Sequence, residues 1–171
     1  MTIIAYKDGL LAADTLAVGL GKEYDCRKVF YKAGVGAVAV CGEGLFARAA
    51  ANWIFNGCTD PKPVSNDDNY WTAIFLRRDG ELFSVSCETP VVKLDRNKFY
   101  AEGSGAENAF TAMHLGQEAI GAVEVAKELN IYCGGETSWY CAGSDTHTNC
   151  IEDNCYNDLI NINNLNEENN D

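Results

Sequence analysis

The chain has 171 residues with 25 acidic against 13 basic side chains, a net charge of −12, and this length suits one domain that buries close to ~70% of its extended surface. Such a charge argues against a nucleic-acid or anionic-membrane surface, because both need a concentrated basic patch. No apolar run approaches the ~20 residues that span a bilayer, and the amino end lacks the basic region and long apolar stretch of a signal peptide, so the expected compartment is the cytoplasm.

In chain order, Ile3 to Lys7 and Leu10 to Asp14 flank Asp8-Gly9, and Asp-Gly suits the positive φ values of a two-residue loop, so the chain is expected to open with a β-hairpin. After a glycine-bearing loop, Lys28 to Lys32 and Val35 to Cys41 read as strands, the second apolar enough to be buried on both faces. Gly42-Glu43-Gly44 ends it. From Leu45 to Phe55 the series Leu45, Ala49, Trp53 and Phe46, Ala50, Ile54 recur at helical spacing, predicting an amphipathic helix with its aromatics in the core. Asn56 to Asn69, carrying Pro61 and Pro63, reads as a loop, and Tyr70 to Arg77 with Glu81 to Ser86 form a second hairpin around Asp79-Gly80. A short strand at Val91 to Leu94 precedes Tyr100 to Gly103, which runs into the turn Gly103-Ser104-Gly105. Helices follow over Ala106 to Gly116 and Val123 to Leu129, then a last strand from Thr137 to Cys141. Segregated strands and helices fit a layered α+β domain over residues 1–141, most simply a four-layer αββα sandwich of two antiparallel sheets flanked by helices. From Ala142 to Asp171 the composition turns to Asn, Asp and Glu, which predicts a flexible acidic tail.

The eight cysteines are expected to be mostly free thiols, since nothing directs the chain to an oxidising compartment. Cys41 and Cys87 lie in strand-like runs as small buried residues. Cys133, Cys141, Cys150 and Cys155 with His147 have zinc-ligand residue types, yet no Cys-x-x-Cys pair is present. Unpaired thiols are therefore expected over a metal, and the chemistry of the amino end calls for no cofactor.

The chemistry sits at the amino end. If Met1 is removed, Thr2 carries a free α-amine and a hydroxyl on one residue. The amine, with an ordinary pKa near ~8, can then take the hydroxyl proton at neutral pH without a histidine. Met-Thr starts are common, so the support must come from Asp14 in Ala12-Ala13-Asp14-Thr15, Lys28 in Arg27-Lys28-Val29, Gly42 after an apolar strand, and Ser104 in Gly103-Ser104-Gly105. Taken singly, each has a structural alternative: Asp14 a turn cap, Lys28 a solvated strand-end charge, Gly42 a helix start, Ser104 an N-cap before Ala106. With His114 and His147 as the two histidines, a Ser or Cys triad is poorly supported. The pair Gly42-x-Gly44 is too little for a phosphate loop.

In order and spacing this set resembles the proteasome β-subunit family of N-terminal nucleophile (Ntn) hydrolases, with bacterial HslV and compact proteasome-like proteins of phage genomes nearest in pattern, over about residues 2 to 140. The resemblance implies a threonine-type peptidase: Thr2 as nucleophile with its α-amine as base, Lys28 beside the hydroxyl, Asp14 paired with Lys28, a Gly42 N–H facing the oxyanion, and Ser104 bonded to the amine. It also implies a peptide or unfolded-protein substrate, a homo-oligomeric ring, and an ATP-driven unfoldase partner. Asn130 and Cys133 stand where proteasome subunits usually supply an aspartate and a serine. Two alternatives stay open: an inactive Ntn-fold assembly or binding protein, favoured if Met1 is retained and blocks the amine, and an Ntn hydrolase acting on a small amide. Ala39 and Val40 are expected to line the pocket beside the nucleophile.

Overall fold

Asp8 and Gly9 both take positive φ, 50° and 80°, the left-handed pair that a tight two-residue hairpin demands. They join β1 (Ile3–Lys7) to β2 (Leu10–Asp14), with Lys7 opposite Leu10 and Ile4 opposite Ala13. In the computed structural model, which describes residues 2–19, 22–42, 44–63 and 70–152, this hairpin lies inside a five-stranded sheet. Its neighbours are β10 (Tyr100–Gly103) on one side, and β11 (Thr137–Cys141) followed by β12 (Thr146–Thr148) on the other. A six-stranded sheet runs in the order β13 (Ile151–Glu152), β5 (Val29–Lys32), β6 (Gly36–Gly42), β7 (Trp71–Arg77), β8 (Leu82–Ser86), β9 (Val92–Leu94).

The two-residue period of the strands sorts side chains into layers. Ile4, Tyr6, Leu11 and Ala13 meet Val29, Ala37, Ala39 and Ile74 between the sheets. On the other face of the first sheet Ile3, Ala5 and Ala12 pack under α2 (Ala106–His114) and α3 (Ala119–Leu129), whose Ala109, Ala122 and Ala126 allow close approach. On the outer face of the second sheet Val38, Val40, Trp71 and Ala73 pack under α1 (Gly44–Phe55) through Ala50, Ala51 and Ile54. The result is the four-layer αββα sandwich that the segregated strands and helices imply.

Three elements differ from the sequence expectation. The glycine-bearing loop contains a hairpin, β3 (Leu16–Gly19) with β4 (Lys22–Asp25). All four residues of β4 are exposed, so no apolar alternation marks it. Helix α3 begins at Ala119, ahead of Val123, because its first turn buries only the small side chains Ala119 and Ala122. The folded body also continues past Cys141. There β12 pairs with β11, and β13 pairs in parallel with β5, so the second sheet is not wholly antiparallel. Ala142 and Cys150 enter the core between the sheets. The part of the expected tail beyond Glu152, with Cys155, lies outside the described residues.

The seven described cysteines are free thiols. Cys133 packs under the helices, whereas Cys41 and Cys150 lie between the sheets, and Cys87 is only half-buried. Among the described residues no three His, Cys, Asp or Glu side chains form a group able to hold a metal ion, and no helix is long and apolar enough to cross a membrane.

Candidate active site

Strand register brings the amino end and four distant segments together. Ile3 pairs with Gly103 of β10, which sets Thr2 beside Ser104. The Thr2 backbone nitrogen donates to Ser104 Oγ at 3.0 Å, and Ser104 Oγ donates back to the Thr2 carbonyl at 3.1 Å. Ser104 is therefore not the cap of α2 that its place before Ala106 would suggest by itself; the N-cap is Gly105, with no side-chain hydrogen bond. The same carbonyl accepts the Gly105 N–H at 3.4 Å.

Gly103 has no room for a side chain. A Cβ there would lie 2.3 Å from the Thr2 carbonyl oxygen, and φ is +101°. Gly103→Ala is expected to displace Thr2 and to cost about 1–3 kcal/mol through backbone strain, measured as a lowered urea midpoint.

Asp14 is fully buried and Lys28 is 5% exposed, so neither is the turn cap or solvated charge that each residue alone would suggest. Lys28 Nζ lies 2.6 Å from Asp14 Oδ1 and donates at 2.6 Å to the Leu16 carbonyl. Asp14 Oδ1 also accepts the Ile3 N–H at 3.0 Å, and Oδ2 accepts the Gly134 N–H at 3.1 Å. A buried ion pair persists only where the remaining lone pairs and protons are satisfied, and these backbone groups satisfy them. One carboxylate oxygen thus links the ammonium of Lys28 to the backbone that leaves Thr2. The Leu16 carbonyl and Gly134 N–H also belong to the site; as main-chain groups they carry no signature in a sequence.

Gly42 takes φ +139°, and a Cβ on it would strike the Tyr70 carbonyl oxygen at 2.5 Å. Val40 N–H bonds the Lys28 carbonyl at 3.0 Å. Because N–H groups two residues apart along a strand point the same way, the Gly42 N–H projects on the Lys28 side of β6, beyond the end of β5. Ala39 and Val40, expected beside the nucleophile, are fully buried on opposite faces of β6, one between the sheets and one under α1.

Asn130 and Cys133 reach the site through Ser104. Asn130 Nδ2 donates to the Ser104 carbonyl at 2.7 Å, and Cys133 Sγ lies 3.9 Å from Ser104 Oγ. Burial holds the Cys133 thiol above its ordinary pKa, and burial with the nearby Glu102 carboxylate pushes Cys41 up to about 12. Both thiols are therefore protonated at neutral pH, and neither competes with the Thr2 hydroxyl as a nucleophile.

No protein-family model and no curated protein matches the sequence. Solved structures do match. Thiobacillus denitrificans BPH superposes with a TM-score of 0.59 at 18% identity, over 81% of this chain and 95% of that one. The same protein in complex with epoxomicin gives 0.59 at 19%, over 81% and 96%. Eukaryotic HslV from Trypanosoma brucei gives 0.63 at 15%, over 81% and 97%. At these identities the likeness is one of architecture, and the chain has the Ntn-hydrolase fold of HslV and proteasome-like proteins.

Proposed function

We propose that this chain, built on the Ntn-hydrolase fold, is a threonine-type peptidase whose nucleophile is the Thr2 hydroxyl once Met1 has been removed. The observation that carries it is the buried Lys28–Asp14 pair, which is held against the Thr2–Ile3 amide while Ser104 holds the Thr2 nitrogen. A fixed ammonium beside the hydroxyl lowers the cost of alkoxide formation and keeps the adjacent amine from holding a proton.

In this reaction the Thr2 oxygen attacks the substrate carbonyl carbon as its proton passes to the α-amine. The Gly42 N–H faces the resulting oxyanion. Collapse breaks the C–N bond, the Thr2 ammonium returns the proton to the leaving amine, and an ester remains on Thr2. Water, deprotonated by the same amine, then releases the acid and regenerates the hydroxyl. Ser104 keeps the amine oriented through both halves. Asn130, in place of a carboxylate, fixes the Ser104 backbone without adding charge near the amine.

Leu129, Ile131 and Tyr132 are 67%, 86% and 50% exposed beside this site. An apolar patch of this kind suits an assembly that covers it, and a homo-oligomeric ring fed by an unfoldase would keep a broad peptidase from attacking other proteins.

Intact mass before and after incubation with epoxomicin, a peptide epoxyketone that needs both the amine and the hydroxyl of an amino-terminal threonine, tests this function. Loss of one Met and gain of one adduct is the expected result. A chain that keeps Met1 and takes no adduct when assembled would overturn it in favour of a binding or assembly protein.

A further inference from the structure

Glu102 is placed unlike its neighbours. Its strand, β10, is the edge of the first sheet, and its residues alternate between layers: Ala101 packs with the helices, whereas Tyr100 packs with the core between the sheets. Glu102 shares the face of Tyr100 and pairs with Ile4, itself part of that inner core. By the same alternation Thr2 faces inward two residues before Ile4, so Glu102 and Thr2 are diagonal neighbours on one face, a separation of about 7–8 Å that long side chains bridge.

This is a position where the inner core calls for an apolar residue. Glu102 is half-buried, and desolvation holds its carboxyl above the ordinary range. Among the described residues no hydrogen bond or ion pair reaches it, and the Lys28 ammonium is held by Asp14 and the Leu16 carbonyl. Its carboxylate is not sealed off completely, because no described side-chain oxygen is both fully buried and without a hydrogen bond. Cys41, next to Gly42 at the end of β6, lies in the same inner core as Ile4 and Tyr100, and the Glu102 carboxylate helps to push its thiol up. A desolvated charge without a partner costs stability, and such costs persist where a ligand recovers them.

We propose that Glu102 is a specificity-determining residue that receives a cationic group, a lysine or arginine side chain or a free amine, of a peptide bound at Thr2. This rests on the peptidase function above and adds its substrate class. The net charge of −12 works in the same direction by drawing cationic peptides toward the protein.

Short peptides differing only by lysine or norleucine at successive positions, titrated against Thr2→Ala protein so that nothing is cleaved, provide the test. At one position lysine should bind about ten-fold tighter than norleucine, as suits a charge-assisted hydrogen bond. The preference should vanish in Thr2→Ala/Glu102→Gln, which melts no lower than its parent because it loses an uncompensated charge. Equal binding of the two series, or a lysine preference that survives Glu102→Gln, would overturn the assignment. So would a change of oligomeric state in Glu102→Gln with peptide preference unaltered, which would give the carboxylate to a contact between copies of the chain. Failure of the peptidase function is read separately, as absence of the epoxomicin adduct on Thr2 while the lysine preference stands.

Discussion

Thr2→Ala is expected to lower kcat/KM for peptide hydrolysis by about 10⁴-fold or more, because no second group at the site can form the ester. The main-chain anchoring of residue 2 should be retained. Both hydrogen bonds that Ser104 makes to residue 2 use its main chain, as does the bond from Gly105, so alanine keeps them. Thr2→Ser retains the hydroxyl and should fall between wild type and Thr2→Ala. Rates on a fluorogenic peptide, read beside the melting temperatures of the three proteins, check this. Equal rates in Thr2→Ala and wild type would exclude Thr2 as the nucleophile. A lower melting temperature for Thr2→Ala would mean that the hydroxyl also serves the fold.

How much of this was legible before the structure depends on the kind of signal each residue gives. The first hairpin was fully legible, because Asp8-Gly9 is a local chemical requirement and the flanking strands alternate. So were β6 and α1, whose apolar patterns are strong. The hairpin β3–β4 left no trace: its residues bury little, and its place is set by long-range contacts such as Lys28 Nζ with the Leu16 carbonyl and Cys26 N–H with the Thr15 carbonyl. β13 was hidden for a similar reason, being two residues long and held by parallel pairing to a strand more than a hundred residues earlier.

At the site, the residue types were legible and their surroundings were not. Lys28 could have been a solvated charge; what removes that possibility is its burial against Asp14, and the backbone groups that make burial tolerable come from residues 3, 16 and 134. Glu102 read as an unremarked member of a strand. Its meaning comes from which way β10 faces, and a four-residue strand with no apolar alternation does not disclose that. Ala39 and Val40 show the opposite error, in which a strand end near the nucleophile suggested a pocket wall while both side chains are core.

Asp14→Ala is expected to be the most destabilising single change at the site, by about 3–5 kcal/mol, because it leaves a buried ammonium without its counter-charge. The Ile3 and Gly134 N–H groups also lose their acceptor, and an unsatisfied buried donor is itself costly. For a domain of this size that corresponds to a melting temperature lower by roughly 10 °C or more. Asp14→Asn keeps the shape but offers one acceptor oxygen where three donors converge, so it should lose less stability while still losing most activity. The decisive comparison is the double variant Asp14→Leu/Lys28→Met. Replacing a buried pair with apolar residues is often near neutral for stability, so the double variant should melt well above Asp14→Ala. Its hydrolysis rate should stay at the level of Thr2→Ala, since no cation remains to favour the alkoxide. Recovery of stability without recovery of rate, measured by thermal melts and peptide turnover on the same preparations, would separate what the pair does for the fold from what it does for Thr2. Recovery of both would mean that the ion pair holds the amino end in place and takes no part in the chemistry.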